Sequence, residues 1–321
     1  MIIRKATKTP FSIAAGEPDK NRQQVAEEIL QAKGKDLSAR VYQNEIGCIM
    51  VSASSVMANN ADFAENFAQA VCALGNCLHG NRPLVVLSGA GISSESGIPT
   101  FREAQTGLWA NYRAEDLATK AGFLANPAMV WDWYDHRRNK VWQTQPNAGH
   151  RAIASLQTLF KNFTLITQNI DNLHQQAGSL GILALHGTLF RYKCMACHQP
   201  VNLNLLPAAA REKSPPDCPF CQHHPRYVRP DVVWFGEALP EPVLAQAEQA
   251  AEQADVFLVV GTSGVVYPAA ALPGVARQHG ATVIEINPEG SALTNDVVDY
   301  FLAGKAGYVL PLLLDALSAA T

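Results

Sequence analysis

The sequence lacks both a long hydrophobic run and an excess of positive charge. No stretch approaches the ~18 consecutive apolar residues of a membrane-spanning helix, so we expect no membrane association. The formal net charge is −3, which argues against a general nucleic-acid-binding protein. The 321 residues contain no obvious repeat or low-complexity tract. They suffice for one large domain or two modest ones.

The first residues, Met1 to Ile13, lack the apolar core of a secretory signal. This basic segment is interpreted as a strand or loose arm, with an organelle-targeting segment as the alternative. We therefore expect a cytoplasmic protein, and a mitochondrial one is the second possibility. Residues 1–60 carry no recognisable chemistry and are interpreted as an extension of unknown role. Within them, Asp19–Lys33 is typical of an amphipathic helix, and Val41–Val56 could hold a strand.

Cysteine is sparse except in two close pairs separated by 20 residues. The four cysteines are Cys194, Cys197, Cys218 and Cys221. Each C-x-x-C pair can grip one side of a tetrahedral Zn²⁺ ion, and the spacing is typical of a zinc ribbon. Four thiolates fill the coordination shell, so the predicted metal is structural. His198, His223 and His224 are alternative ligands, but a four-cysteine set is expected.

The other three cysteines, Cys48, Cys72 and Cys77, are scattered along the chain. Without a secretion signal they indicate a reducing compartment, in which thiols stay free rather than form disulfides. A redox-active C-x-x-C is a weaker interpretation of the paired cysteines, because both pairs are present.

The usual dinucleotide fingerprint, G-x-G-x-x-G, is absent from the glycine-rich stretch near residue 90. A related arrangement is nevertheless present: Leu84–Leu87 predicts a buried strand, and Gly89-Ala90-Gly91 follows at once. Ser93 and Ser94 are candidate N-caps of a short helix. A strand, a small-residue turn and a helix start together favour a pyrophosphate site. An ordinary tight turn is the alternative.

Short apolar strands alternate with helical segments along the rest of the chain. The predicted strands are Phe163–Thr167, Ile182–Leu185, Val256–Val260 and Thr282–Ile286, and the predicted helices include Ala61–Leu78 and Ala128–Trp142. This pattern predicts a doubly wound, parallel, Rossmann-like α/β sheet. The zinc module interrupts it as a small insert at about residues 188–230. Polar residues that follow the strands would collect at one edge of the sheet, where ligands bind.

Seven motifs, in order, resemble those of the sirtuins, the NAD-dependent protein deacylases. They are GAGISSESGIPTFR, TQNID, His186-Gly187, the two C-x-x-C pairs, VVWFGE (232–237), GTSGVVYPAA (261–270) and INPE (286–289). The resemblance spans Leu84 to Leu314, and the expected catalytic domain is 61–318. It implies that NAD is consumed as a co-substrate and that acylated lysine side chains of proteins are the partners.

In the chemistry that the resemblance implies, the acyl-lysine oxygen displaces nicotinamide from the ribose of NAD. A histidine then deprotonates a ribose hydroxyl, which attacks the resulting imidate and leads to free lysine and O-acyl-ADP-ribose. His186 matches that base. Asn169 and Asp171 match the polar pair at the nicotinamide and ribose end. Capping of a turn is the alternative role of that pair.

The resemblance also implies a larger set of cofactor-binding residues. They are Gly89, Ala90, Gly91, Ile92, Phe101, Arg102, Gln168, Asn169, Ile170, Asp171, Gly261, Thr262, Ser263, Asn287, Glu289 and Ala306. Arg102 is expected to reach a phosphate, and Phe101 to shield the reacting ribose carbon. Thr100 stands where many members carry aspartate, which removes no required chemistry.

Tyr134 and Arg137 resemble the Tyr-x-x-Arg pair of the sirtuin branch that removes succinyl and malonyl groups. The i, i+3 spacing places both on one helix face, and a guanidinium fork with a phenol suits an acyl carboxylate. The alternatives are an ordinary surface pair, or a shift of register to Arg138. The expected activity is thus desuccinylation and demalonylation, with deacetylation as well.

The segment Val232 to Glu237 resembles the part of the family that pairs with the substrate backbone, a role assigned to Val232, Phe235, Gly236 and Glu237. A buried strand with Trp234 and Phe235 in the core is the other interpretation.

Two rival functions remain. One is a mono-ADP-ribosyltransferase or NAD hydrolase, and the other is a catalytically silent sensor that binds zinc and nucleotide. A monomer is expected.

Overall fold

The computed structural model describes residues 41–43, 49–51, 61–100 and 112–320. The predicted helix Asp19–Lys33 lies outside them. Of the segment Val41–Val56, two short paired strands are described, Val41–Gln43 and Ile49–Val51.

The described elements alternate between strands and helices, as expected. The strands are β1 Val41–Gln43, β2 Ile49–Val51, β3 Leu84–Ser88, β4 Phe163–Thr167, β5 Leu183–Ala184, β6 Gly187–Cys194, β7 Val228–Val232, β8 Val256–Val260, β9 Thr282–Asn287 and β10 Tyr300–Ala303. The helices are α1 Ala61–His79, α2 Ala90–Ser94, α3 Ala114–Leu117, α4 Lys120–Ala125, α5 Pro127–Trp142, α6 Ala148–Leu159, α7 Leu173–Gln176, α8 Ala208–Arg211, α9 Glu241–Gln253, α10 Leu272–Gln278 and α11 Ala306–Ala320.

Six strands form one parallel sheet in the order β10-β9-β8-β3-β4-β5. From β3 the chain moves outward through β4 to β5. It later returns to β8 on the other side of β3 and moves outward again through β9 to β10. The predicted doubly wound sheet is therefore confirmed. The order reverses between β3 and β8, and ligands of such sheets bind beyond the carboxyl ends of the strands at that point.

Both faces of this sheet are covered, so its strands are apolar throughout rather than alternating. On β3, Leu84 and Val86 belong to one apolar cluster, with residues of α1, α6 and α11. Val85 and Leu87 belong to the cluster on the opposite face, with residues of α9 and α10. All four side chains are at most 1 % exposed.

A smaller lobe contains the antiparallel strands β6 and β7. Their pairing runs from Gly187 opposite Val232 to Cys194 opposite Val228, with a bulge between Thr188 and Tyr192. The lobe packs against α5, because Trp131 of that helix shares an apolar cluster with Cys194 and Cys218.

Three sequence predictions need correction. Ser93 and Ser94 do not cap a helix: they end α2, whose N-cap is Gly89, and Ser93 is buried among polar partners instead. The strand predicted over Ile182–Leu185 is limited to β5, because the sheet pairs only Leu183 and Ala184 with β4. Cys72 is disulfide-bonded, so the expectation of free thiols is wrong there, since spacing along a chain does not reveal which distant thiols meet.

Among the helices of the described ranges, none combines the length and the apolar character that crossing a bilayer requires.

Candidate active site

Two glycine turns meet where the strand order reverses. The Gly91 N–H donates to the carbonyl of Gly261 at 2.8 Å, which joins the turn after β3 to the turn after β8. Gly261 has φ +60°, and a Cβ there would lie 2.5 Å from the backbone nitrogen of Ile92. A Cβ on Gly89 would lie 2.7 Å from the Gly261 oxygen. The two strand ends can approach this closely only because side chains are absent.

A cleft beside these turns lies at the ends of β3, β8, β9 and β10. Its lining residues are Gly91, Ser94, Glu95, Gly261, Ile286, Pro288, Lys305 and Ala306. Asn287 closes β9, and its Nδ2 donates to the Thr262 carbonyl at 2.7 Å and to Glu285 Oε1 at 3.0 Å. Both amide hydrogens are thus engaged, which leaves Oδ1 as the acceptor. Ser263 and Glu289 are exposed next to these residues.

The loop after β4 places two polar side chains against the β3 turn. Asn169 Nδ2 lies 3.1 Å from the Gly89 carbonyl and 3.1 Å from Ser93 Oγ. The Ser93 hydroxyl donates to Asp171 Oδ2 at 2.8 Å. Burial raises the pKa of Asp171, and the bond from Ser93 opposes that rise. The predicted polar pair therefore lies beside the glycine turns.

His186 sits between the sheet and the small lobe. Its Nδ1 is 2.8 Å from the Gln168 carbonyl, so Nδ1 donates and Nε2 is the lone-pair nitrogen of the neutral ring. Burial lowers the pKa of His186, although the bond to Gln168 works against that effect. The Gln168 side chain donates to Thr262 Oγ1 at 2.9 Å, and Val233 N–H donates to the His186 carbonyl at 2.9 Å. A neutral imidazole is thereby held in one tautomer, as a general base requires.

A buried histidine pair that no sequence motif indicated lies behind this loop. The rings of His150 and His174 are 4.9 Å apart between centroids. His174 Nε2 is 2.8 Å from Ser88 Oγ, which donates to Thr167 Oγ1 at 2.8 Å. Burial lowers the pKa of His150 to about 3 and that of His174 to about 4. The available signal was the serine or threonine that ends each of two otherwise apolar strands, β3 and β4.

Tyr134 and Arg137 lie on the face of α5 that turns toward the site. Tyr134 is 3 % exposed, and burial raises its pKa to about 12, so its hydroxyl stays protonated. Arg137 Nε is buried without a hydrogen-bond partner, and its guanidinium lies 5.0 Å from the centroid of the Trp133 ring. Burial lowers the pKa of Arg137, an effect opposed by the nearby Tyr134 and Asp171.

The neighbouring Arg138 faces elsewhere. It pairs with Asp135, and its guanidinium lies 5.1 Å from the ring centroid of Tyr192 in the small lobe. Of the two arginines, Arg137 is therefore the one whose charge acts on Tyr134 and Asp171.

The segment after β7 is held by an ion pair. Arg229, 2 % exposed, contacts the Glu237 carboxylate at 2.5 and 3.0 Å. Val232 and Trp234 are buried, whereas Phe235 is 53 % exposed. The interpretation of Phe235 as a core residue is thus wrong, because β7 ends at Val232 and the chain turns outward through Gly236, at φ +84°.

The four paired cysteines converge on one point. Their sulfur atoms all lie within 4.8 Å of one another, with Cys194 to Cys221 at 3.7 Å and Cys197 to Cys218 at 3.8 Å. Tetrahedral Zn–S bonds of about 2.3 Å require sulfur separations of about 3.8 Å. The cluster therefore fits a structural zinc ion, without a contribution from His198, His223 or His224. Phe101 and Arg102 lie outside the described residues.

The chain is similar to known proteins over most of its length. The sequence profile of the Sir2 family matches residues 89–268. A protein named NAD-dependent protein deacylase from Ralstonia nicotianae is 51 % identical over 72 % of this chain and 90 % of its own. NAD-dependent protein deacylase 1 of Pseudomonas aeruginosa is 50 % identical over 74 % of this chain and 95 % of its own.

Solved structures agree with these relatives. A Sir2 homologue in complex with NAD is 44 % identical, with a TM-score of 0.69 over 77 % of this chain and 93 % of its own. A Sir2 protein bound to a myristoylated histone peptide is 34 % identical, with a TM-score of 0.62 over 80 % of this chain and 98 % of its own. The glycine turns, the oriented histidine and the four-cysteine cluster thus occur in a chain that belongs to the Sir2 family.

Proposed function

We propose that this protein is an NAD-dependent protein-lysine deacylase that prefers acyl chains ending in a carboxylate, such as succinyl and malonyl. The products are free lysine, nicotinamide and O-acyl-ADP-ribose. Acetyl groups are removed as well, because the reacting amide is the same.

Each part of the site has its own role in binding NAD or in the reaction. The glycine turns at Gly89 and Gly261 receive the diphosphate of NAD, and Asn287 offers its Oδ1 to the hydroxyls of the adenosine ribose. Asn169 and Asp171 lie at the nicotinamide end. His186 takes the proton of the ribose hydroxyl through Nε2, because Nδ1 is engaged by a carbonyl. Its lowered pKa keeps the ring neutral at physiological pH.

One observation carries the acyl preference: Arg137 makes no ion pair with any residue that the structure describes. A partly buried guanidinium whose Nε lacks a hydrogen-bond partner carries a desolvation cost, and an arriving acyl carboxylate would offset that cost with charge-assisted hydrogen bonds. Tyr134, protonated and one helical turn away, adds a second donor. A methyl group, as in acetyl, gains nothing from either side chain.

The experiment compares matched acetyl-lysine and succinyl-lysine peptides with NAD, followed by mass spectrometry. The Arg137→Met variant should lower the ratio of succinyl to acetyl kcat/KM at least about tenfold, as expected for hydrogen bonds to a charged group. Arg138→Met is the matched control, because it makes the same change on the helix face that contacts the small lobe. Equal losses with both substrates in Arg137→Met would refute the acyl preference.

The same assay separates the deacylase from its rivals. Formation of O-succinyl-ADP-ribose supports the proposal. NAD consumption without an acyl-ADP-ribose product would indicate an ADP-ribosyltransferase or NAD hydrolase, and NAD binding without turnover would indicate a sensor. Arg137 favours the deacylase, since neither rival reaction requires a carboxylate fork.

We further propose that the protein acts in the cytoplasm as a monomer. The relatives named above are bacterial, so they lend no support to a mitochondrial location.

A further inference from the structure

One hydrogen bond links the predicted acyl pocket to the predicted peptide segment. The indole Nε1–H of Trp234 donates to Tyr134 Oη at 2.8 Å, across 100 residues of sequence. Both side chains are buried, at 1 % and 3 % exposure. Their rings lie 6.3 Å apart between centroids. The contact is thus a tertiary one that neither motif reveals by itself.

Trp234 is fixed from several sides. Its backbone N–H donates to Glu237 Oε2 at 2.9 Å, the same carboxylate that Arg229 binds through two contacts. The Arg229 guanidinium also lies 3.2 Å from the indole centroid, and Phe123 packs at 5.1 Å between centroids. The indole therefore presents its single N–H to the phenol from a rigid support.

The chemistry of the two groups sets the direction of the bond. Indole Nε1–H can only donate, so Tyr134 must accept from it. The hydrogen of the Tyr134 hydroxyl must then point to another acceptor. A terminal carboxylate is an acceptor, whereas the methyl of an acetyl group is not.

We propose that Trp234 is a positioning residue for acyl selectivity, which turns the Tyr134 hydroxyl into an oriented donor for the acyl carboxylate. The role rests on the proposed function, because it requires that Tyr134 faces the acyl end. Burial, which raises the pKa of Tyr134 to about 12, ensures that the donor hydrogen is present throughout the range of assay pH.

The test is a double-mutant cycle of Trp234→Phe and Tyr134→Phe, measured with succinyl-lysine and acetyl-lysine peptides. Phenylalanine keeps the aromatic packing and the face offered to Arg229 but lacks the N–H. Each single variant should lower the succinyl-to-acetyl ratio of kcat/KM about fivefold, the order of one hydrogen bond. The loss should lie mainly in KM for the succinyl peptide. In the Tyr134→Phe background, Trp234→Phe should have no further effect on the ratio, because the two act as a unit.

Two results would overturn the inference: an unchanged ratio in Trp234→Phe, or a Trp234→Phe effect that persists in the Tyr134→Phe background. If Trp234→Phe fails to fold, site-specific replacement of Trp234 by 3-benzothienyl-alanine keeps the ring size and replaces N–H by sulfur, with the same expectations. Arg137→Met is run in parallel. A shifted ratio there with none in Trp234→Phe defeats the inference alone, whereas no shift in Arg137→Met defeats the proposed acyl preference and the inference together, and leaves the deacylase activity standing.

Discussion

The two halves of the candidate active site are built from different material. At the edge of the sheet the contacts are made by backbone, because three glycines let the ends of β3 and β8 touch. At the proposed acyl side the contacts are made by side chains from two parts of the chain: Tyr134 and the partly buried Arg137 on α5, and the buried Trp234 after β7.

The two halves should respond differently to amino-acid substitution. The glycine turns at Gly89, Gly91 and Gly261, called the cradle below, suit a co-substrate that is the same in every reaction, since any side chain there would separate the strands. A side-chain pocket can be altered one group at a time without moving the sheet. Changes at the cradle should therefore affect every substrate alike, and changes around α5 should affect substrates selectively.

Loss of zinc should have the largest effect on turnover, and it should disturb the half of the site around α5 more than the glycine turns. Cys218→Ser removes one of four ligands from a cluster that packs on Trp131 of α5, and structural zinc contributes on the order of 10 kcal/mol to such folds. We expect loss of stoichiometric zinc and at least about a hundredfold loss of turnover with both peptides, an amount of catalysis typical of a misplaced site. NAD binding, measured by calorimetry, should weaken less.

Cys77→Ser is the matched control for that variant. Cys77 is also buried, but it lies in the core on the α1 side of the sheet, and its thiol donates to the Arg82 carbonyl at 3.3 Å, a bond that a hydroxyl can keep. A zinc-free Cys218→Ser protein with wild-type rates would contradict the structural role of the metal.

Substitution at the cradle should be the next largest effect. Gly261→Ala places a Cβ 2.5 Å from the Ile92 nitrogen at φ +60°. We expect KM for NAD to rise at least about tenfold, since displacement of the turn costs more than ~1 kcal/mol, with the same factor for acetyl and succinyl peptides. Gly280→Ala, at φ +94° with no atom within 4 Å of its Cβ, controls for backbone strain. A change in acyl selectivity in Gly261→Ala would refute the division into two halves.

The buried histidine pair should give the smallest effect at neutral pH, where both rings are uncharged, and its contribution should be seen instead as a pH dependence of stability. Above about pH 6.5 the histidines are neutral in both the folded and the unfolded chain. As the pH falls, the unfolded chain binds protons first, because the folded pKa values are about 4 for His174 and about 3 for His150. The free energy of unfolding should therefore fall from pH 6.5 toward pH 4, by up to about 1.4 kcal/mol per pH unit for each histidine.

In urea titrations at several pH values, the His150→Asn variant should take up one proton fewer on unfolding than the wild type. Its free energy of unfolding should therefore depend less steeply on pH. His79→Asn, a change of an exposed histidine, should leave the slope as it is. Equal slopes for wild type and His150→Asn would show that the pair does not control acid stability.

Local sequence patterns were sufficient to predict most of the strands and helices and the four-cysteine cluster. The strand predicted over Val256–Val260 is confirmed residue for residue, because a run buried on both faces is apolar at every position. The C-x-x-C pairs predicted their own convergence, since each hairpin-like turn places two thiols on one side of an ion. The helical cap predicted at Ser93 is wrong, because its hydroxyl donates to Asp171 and accepts from Asn169, two residues far along the chain that capping propensity does not take into account.

Residue patterns alone were thus enough to predict the strands of the sheet, the glycine turns and the zinc ligands, because each of these is signalled by residues that are close together in the chain. The folded structure was needed to find the hydrogen bond of Trp234 to Tyr134, the burial of His150 against His174, and the orientation of Arg138 toward the small lobe. Those contacts join residues that are far apart in the chain, or depend on which face of a helix is covered. Their energies arise from burial and direction, neither of which a linear pattern records.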